Sequence, residues 1–358
     1  MLIDVVKVLI PSALAFGIGI LFTPVLTSYL YSHKMWKKKA GKVDLSGKDT
    51  PIFNQLHKEK EVGTPRMGGI IIWASATTVM LLFWVLGHFF TGGIFAKLDF
   101  LSRNQTWIPL AALLVGAVVG LMDDWLEIIG SRNHIAGGLS LSKRLAVVGT
   151  VSFLCGLWFY TKLGVTGIDL PEGWHGGTLY LGWLIVPFFM AVAMAIYSGG
   201  VIDGIDGLAG GVFASIFAAY GAMAFAHHQT DLAAFCAVLV GSILAFLWFN
   251  IPPARYYMTE TGSMALTLAL AIVAFMTDQR GGGFGIIVLP IIAFPLVITT
   301  ASVIIQNLSK KFRGKKVFLV APLHHHFEAL GWPSYKVTMR YWIIGIICAV
   351  IGLVLALI

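Results

Sequence analysis

A chain of 358 residues that is 58% hydrophobic and 12% charged, with a mean hydropathy of +0.84, lies far from the soluble average of roughly a quarter charged residues. Too many of its apolar runs reach the ~20 residues needed to cross a bilayer for a soluble multi-domain protein. The formal charge of +8 does not indicate nucleic-acid binding, because no aromatic-interleaved basic domain lies outside the apolar runs.

Taken in chain order, runs of spanning length lie near residues 6 to 31, 67 to 90, 107 to 129, 143 to 163, 182 to 199, 209 to 227, 232 to 250, 262 to 277, 285 to 308 and 337 to 358. The first lacks a small-residue cleavage pattern and reads as a retained span. Cys155, Cys236 and Cys348 sit inside apolar runs without paired spacing, so they read as packing residues, not as a disulfide or zinc framework. No internal repeat, low-complexity tract or soluble domain larger than a loop appears. The expected architecture is therefore a single all-α integral membrane domain over 1–358 with about ten transmembrane helices.

Twenty of the 25 Lys and Arg fall in the connections between spans 1–2, 3–4, 5–6, 7–8 and 9–10. The positive-inside bias then places these connections in the cytoplasm and both termini in the periplasm. Basic runs such as Lys37-Lys38-Lys39 read as this topological signal together with attraction to anionic head groups.

Acids beside spans are costly unless they reach water or serve a purpose, so their placement is informative. Asp123 and Asp124 end the third span. Asp203 and Asp206 follow the fifth, and their three-residue step would put both carboxylates on one side of a helix. Glu260 follows the seventh, and His324-His325-His326 lies in the last basic connection. All fall on the side assigned to the cytoplasm, which predicts one shared cleft. Adjacent aspartates project roughly 100° apart on a helix, so one of Asp123 and Asp124 is expected to meet a ligand while the other caps or pairs with a base. The histidine run reads either as a metal site or as one functional imidazole with locally bonded neighbours. Carboxylates beside basic loops suit Mg²⁺ and diphosphate chemistry, where positioning and electrostatics dominate.

These pieces occur in one order: Gly63-Thr64-Pro65-Arg66-Met67-Gly68-Gly69, Asp123-Asp124, Asp203-Gly204-Ile205-Asp206-Gly207-Leu208-Ala209, Phe249-Asn250 with Pro253-Ala254, Thr261-Gly262-Ser263 and Ala321-Pro322-Leu323-His324-His325-His326-Phe327-Glu328. In them the chain resembles the polyprenyl-phosphate N-acetylhexosamine-1-phosphate transferases over nearly its whole length. Residues 321–328 favour the phospho-N-acetylmuramoyl-pentapeptide transferase branch over the N-acetylglucosamine-1-phosphate branch. The resemblance implies an Mg²⁺-dependent transfer from UDP-N-acetylmuramoyl-pentapeptide (UDP-MurNAc-pentapeptide) to undecaprenyl phosphate in the bacterial inner membrane, releasing UMP and forming lipid I, by a homodimer. By the same resemblance Asp123 orients the lipid phosphate with Asp124 beside it. Asp203 and Asp206 line the nucleotide-sugar site, Asn250 and Tyr257 contact the uridine diphosphate, and Glu260 is the metal ligand. His324, flanked by His325 and His326, meets donor phosphate or sugar, Lys60 binds phosphate, and Gln306 lies near the nucleotide.

Three departures accompany the resemblance. Glu127 replaces a usual lysine, leaving Lys143 or Arg144 to supply its phosphate contact. Gly200 replaces an asparagine, and Thr259-Glu260 replaces a usual Gly-Asp. The alternative within the enzyme class is a polyprenyl-phosphate N-acetylglucosamine-1-phosphate transferase, and the alternative of another class is a transporter, although transporters tend to place ionisable groups near the midplane between repeated halves.

Overall fold

The computed structural model describes residues 2–38, 62–91, 93–102, 105–130, 138–170, 177–281 and 284–358, with only the backbone described for 279–281. Lys60 lies outside the described residues. The chain forms α1 (Leu2–Ser32), α2 (Ile70–Phe89), the short α3 (Ile94–Leu98), α4 (Trp107–Ile129) and α5 (Leu141–Leu163). There follow a two-stranded hairpin, α6 (Ile185–Ser198), α7 (Leu208–Ala226), α8 (Thr230–Asn250) and α9 (Thr259–Gly281). The chain closes with α10 (Leu289–Ile292), α11 (Phe294–Arg313), α12 (Leu323–Ala329) and α13 (Ser334–Leu357).

Among the described residues, eight helical stretches are long and apolar enough to cross a membrane: 2–32, 70–89, 141–163, 182–202, 208–226, 230–250, 259–278 and 334–357. They match eight of the ten runs marked in the sequence, and the protein is a multi-pass integral membrane protein. The run at 107–129 is one 23-residue helix whose last two turns carry Asp123, Asp124 and Glu127. The run at 285–308 is broken. It divides into α10 and α11 at Ala293, and Pro295 occupies the first turn of α11, where its missing N–H costs no helical bond.

The antiparallel hairpin of β1 (Gly167–Leu170) and β2 (Gly177–Tyr180) was not marked in the sequence. Each strand has only four residues, too few for alternation to stand out from a loop. Residues 203–207 form turns instead of the helix considered for the Asp203–Asp206 step, because Gly207 adopts φ 76° just before α7 begins.

The centre of the bundle is α9, whose spanning window is 94% buried. It packs on α4, α6 and α7, while α8 joins α1, α2 and α7. Backbone-to-backbone approach between α4 and α9 rests on Gly116 and Gly120, four residues apart on one helix face. A Cβ on Gly116 would lie 2.7 Å from the Met264 carbonyl oxygen, and one on Gly120 would strike the Glu260 carbonyl. In the opposite sense, α13 turns Ile343, Ile347, Val350 and Val354 outward, as lipid requires.

This close approach sets the height of the Asp123–Asp124 turn against the start of α9. Gly120→Ala is expected to force the helices apart and to lower stability by about 1–3 kcal/mol, the usual range for overpacking a well-filled interior. Gly17, with nothing within 4 Å of a built Cβ, is the control. Thermal unfolding in detergent should show a lower midpoint for Gly120→Ala and none for Gly17→Ala.

Candidate active site

The first turn of α9 is the meeting point of the acids. Thr259 adopts φ 55°, a left-handed conformation that disfavours a β-branched residue, and Met67 opposite it adopts φ 68°. Three bonds hold Thr259 there. Its N–H donates to Asp203 Oδ2 at 2.7 Å, and its hydroxyl donates to Asp124 Oδ2 at 2.5 Å while accepting the Met67 N–H at 3.2 Å.

Asp124 is fully buried, and the helix end answers its charge. Asp124 Oδ2 also accepts from the Thr261 N–H at 2.9 Å and the Thr261 hydroxyl at 2.6 Å, and Arg66 stands 3.5 Å from Oδ1. Backbone donors at the N-terminus of α9 add the favourable helix-dipole field. Asp123, also fully buried, faces a different environment. Its Oδ1 accepts from the Leu139 N–H at 2.5 Å, and its Oδ2 lies 3.1 Å from Arg144 Nη2. The two aspartates thus diverge as their helical angle predicts, with Asp124 acting as a clamp and Asp123 as one arm of an ionic bridge.

Arg144 completes that bridge, since its Nη1 donates to Glu260 Oε1 at 2.6 Å. Among the described residues, Glu260 Oε2 meets the Ser263 hydroxyl at 3.4 Å, and the Glu260 side chain keeps a quarter of its surface exposed. Lys143, the neighbouring candidate, is exposed.

Glu127 gathers cations instead of replacing one. Lys37 lies 3.3 Å and Arg66 2.7 Å from its carboxylate, so Arg66 joins Glu127 to Asp124. The sequence reading assigned no role to Arg66 and held Arg144 only as a substitute for a missing lysine. Their signal was position: Arg66 stands immediately before a span and Arg144 in the first turn of one.

Asp203 and Asp206 both tie down the connection from α8 to α9. Asp206 Oδ2 accepts the Ala254 N–H at 3.1 Å. Asn250 links the same parts, accepting the Gly207 N–H at 2.9 Å and donating to the Tyr256 carbonyl at 2.8 Å. Tyr257 pairs through its backbone with the Pro65–Gly68 stretch, donating to Pro65 O at 2.9 Å and accepting from Gly68 N at 2.8 Å. Gly68 and Gly69 permit this, because a Cβ on either would strike residues 256–258 or Gly262. The adjacent Tyr256 phenol is buried, which pushes its ionisation above the usual range and keeps it neutral.

The histidines arrive from α12. A Cβ on Gly204 would collide with His324 Nε2 and lie 2.8 Å from His325 Nε2, so the imidazoles pack directly on the Asp203–Asp206 turn. His325 Nδ1 is 2.7 Å from Glu328 Oε2, and His326 Nδ1 accepts the Leu319 N–H at 3.2 Å. Both of these imidazoles bond within residues 319–328. Gln306 was placed near the nucleotide. In the structure its Oε1 accepts from Val317 and Phe318, each at 3.0 Å, and its Nε2 donates to the Phe318 carbonyl, holding the loop that leads to His324.

Among the described residues no three His, Cys, Asp or Glu side chains close around one point. The arrangement fits Mg²⁺ nevertheless, because that ion commonly takes one or two carboxylates and fills its shell with water and phosphate oxygens. Glu260, whose side chain keeps a quarter of its surface exposed, would be the carboxylate to hold it. At Gly200 a built Cβ would meet Ser263 and Thr267 only at ordinary contact distances of 3.6–4.0 Å, so space remains where the family carries asparagine.

A glycosyl transferase family 4 model matches residues 106–278, the stretch that carries Asp123, Asp124, Asp203, Asp206, Asn250 and Glu260. Together with the bundle, this makes the chain similar to integral membrane glycosyl transferases. Among relatives, the phospho-N-acetylmuramoyl-pentapeptide-transferase of Geobacillus sp. (strain WCH70) is 35% identical over 297 residues, 82% of this chain and 84% of that one. Those of Chloroflexus aurantiacus and Bacillus thuringiensis are 32% and 31% identical, covering 90% and 96% of this chain and 85% and 96% of their own. The chain belongs to the phospho-N-acetylmuramoyl-pentapeptide-transferase family.

Two outcomes test the geometry. Thr259→Val keeps the strained backbone but removes the hydroxyl from Asp124, and should cost about 1–3 kcal/mol; Thr259→Gly, which relieves the strain, should cost less in the same unfolding assay. Arg144→Gln should lower stability by about 1–3 kcal/mol, reduced from the fully buried case by partial exposure. Adding Glu260→Gln to Arg144→Gln should recover part of that loss, as a double-mutant cycle would report.

Proposed function

We propose that the protein transfers phospho-N-acetylmuramoyl-pentapeptide from UDP-MurNAc-pentapeptide to undecaprenyl phosphate, releasing UMP and forming lipid I. The observation that carries this reading is the convergence of Asp124, Asp203 and Glu260 on the first turn of α9, with Asp123 bridged to Glu260. Relatives matched over most of their length and named for this transfer support it.

An oxygen of the lipid phosphate attacks the sugar-bearing phosphorus of the donor, a new P–O–P bridge forms, and the bond to the uridine-bearing phosphate breaks as UMP leaves with its electron pair. The lipid phosphate is already anionic at neutral pH, so orientation matters more than proton removal. Asp123 orients this phosphate from its place beside Arg144, and Asp124 holds the floor of the site. The Arg144 guanidinium offsets charge developing on the transferred group. Asp203 and Asp206 shape the nucleotide-sugar site by holding residues 254–259, Asn250 positions the loop that carries Tyr257 to the uridine diphosphate, and His324 meets donor phosphate or sugar. His325, His326 and Gln306 support His324, while Lys60 and Lys143 are the phosphate-binding lysines. Mg²⁺ bound at Glu260 would supply Lewis-acid neutralisation of the donor diphosphate.

In this reading the protein crosses the bacterial inner membrane ten times, with both termini periplasmic and the acids opening to the cytoplasm, and works as a homodimer. The asymmetry of Lys and Arg supports that orientation.

Purified protein given undecaprenyl phosphate and Mg²⁺ should release UMP from UDP-MurNAc-pentapeptide; release from UDP-N-acetylglucosamine alone refutes the proposal. Chelation should abolish turnover and added Mg²⁺ restore it. Glu260→Gln should lower kcat by at least about 10²-fold, whereas Asp231→Asn, whose carboxylate pairs with Lys7 away from this site, should stay near the parent rate. For orientation, cysteines placed at Lys310 and Lys162 in a cysteine-free background should label from opposite faces of the membrane.

A further inference from the structure

Glu328 is the acid of the 321–328 motif to which the transfer gives no part, yet it is buried against a histidine. His325 Nδ1 lies 2.7 Å from Glu328 Oε2, and only 4% and 5% of the two side chains is exposed. Water therefore competes little for this bond, and a charged acceptor in so dry a setting makes it strong and directional. An ionised carboxylate only accepts, so Nδ1 carries a proton whether the ring is neutral or charged.

The other oxygen of Glu328 is held as well. The Ser334 hydroxyl donates to Oε1 at 2.7 Å from the first turn of α13. A tight connection between α12 and α13 sets this reach. Gly331 turns the chain at φ 89°, its N–H donates to the Glu328 carbonyl at 2.9 Å, and the Trp332 indole stacks on Phe327 with ring centroids 4.9 Å apart.

On the far side of the imidazole, Nε2 is the His325 atom nearest the Asp203–Asp206 turn, 2.8 Å from a Cβ built on Gly204. The face of α13 that carries Ser334 grips the same turn. Thr338, four residues after Ser334, donates its hydroxyl to the Asp206 carbonyl at 3.1 Å, and Trp342, four residues further, donates Nε1 to the Gly207 carbonyl at 3.0 Å. Tyr341 lies edge-on to His324, with ring centroids 6.4 Å apart. Residues spaced by four line one side of a helix, so one strip of α13 sets both the histidines and the turn beneath them.

Resting on the function proposed above, we infer that Glu328 is a positioning residue for the transfer. It keeps the proton on Nδ1 of His325 and turns Nε2 to the nucleotide-sugar side of the Asp203–Asp206 turn, and Ser334 keeps the carboxylate in that orientation. His325 thereby does more than pack against His324, because its Nε2 meets the UDP donor. Binding of the donor depends on this pair and binding of the acceptor lipid does not.

Full-length protein in nanodiscs, assayed by UMP release, separates the two substrates. Glu328→Ala should raise KM for the UDP donor at least about tenfold and Glu328→Gln, which keeps an acceptor oxygen without the charge, by less. KM for undecaprenyl phosphate should stay unchanged in both. Ser334→Ala should move the donor KM in the same direction as Glu328→Ala but by a smaller factor. In a His325→Ala background Glu328→Ala should add less than about twofold, because a residue that acts through another has nothing further to lose. Equal change in both KM values, or full additivity with His325→Ala, overturns the role. A second measurement needs neither turnover nor a variant at Glu328. In the parent protein carrying isotope-labelled histidine, the magnetic-resonance signal that His325→Ala removes should report a protonated Nδ1; a bare Nδ1 overturns the assignment. A parent protein that releases no UMP retires the transfer and the role with it, while a parent that turns over normally and tolerates Glu328→Ala retires Glu328 alone.

Discussion

A carboxylate buried at the end of a membrane helix persists only where donors reach it, and in this chain that condition is met most completely at Asp124. Two threonine hydroxyls, a backbone N–H and an arginine surround it. None of these donors is on α4 itself. The charge on one helix therefore depends on α9 arriving at the right height, and the glycines at 116 and 120 make that approach sterically feasible. Packing and electrostatics are coupled here, because separating the helices would strand the charge.

From that clamp the rest of the site follows. Thr259 is held in an unfavourable backbone conformation by the hydroxyl that also serves Asp124, and its N–H reaches Asp203. The strain at Thr259 is thus offset by three bonds to different parts of the chain. Asp206 and Asn250 fix the loop before it, and Gly204 lets the histidines of α12 settle on the same turn. Segments separated by more than a hundred residues meet through backbone and short polar side chains, while the longer groups, Glu260 and Arg144, pair with each other beside Asp123.

The departures from the family pattern also find local reasons. Glu127 stands where a lysine is usual, yet Lys37 and Arg66 come to it, so positive charge is retained by rearrangement. Thr259 stands where glycine is usual and retains a left-handed backbone that glycine would adopt freely, at the cost of needing its hydroxyl anchored. Gly200 leaves open space beside Ser263.

Spanning helices were legible in the sequence because lipid demands long apolar runs, and eight of them stand as read; the clustering of Asp123, Asp124, Asp203, Asp206, Glu260 and the histidines at the ends of such runs was legible for the same reason, since charge is tolerated only there. The break at Ala293, the four-residue strands and the turn at 203–207 were not, because short irregular segments leave no periodicity to read. Which partner each acid takes was decided only by tertiary structure. Arg144 between Asp123 and Glu260, Arg66 between Asp124 and Glu127, and the amides of Asn250 and Gln306 bound to backbone are contacts set by how helices pack in three dimensions, and composition along the chain carries no record of that distance.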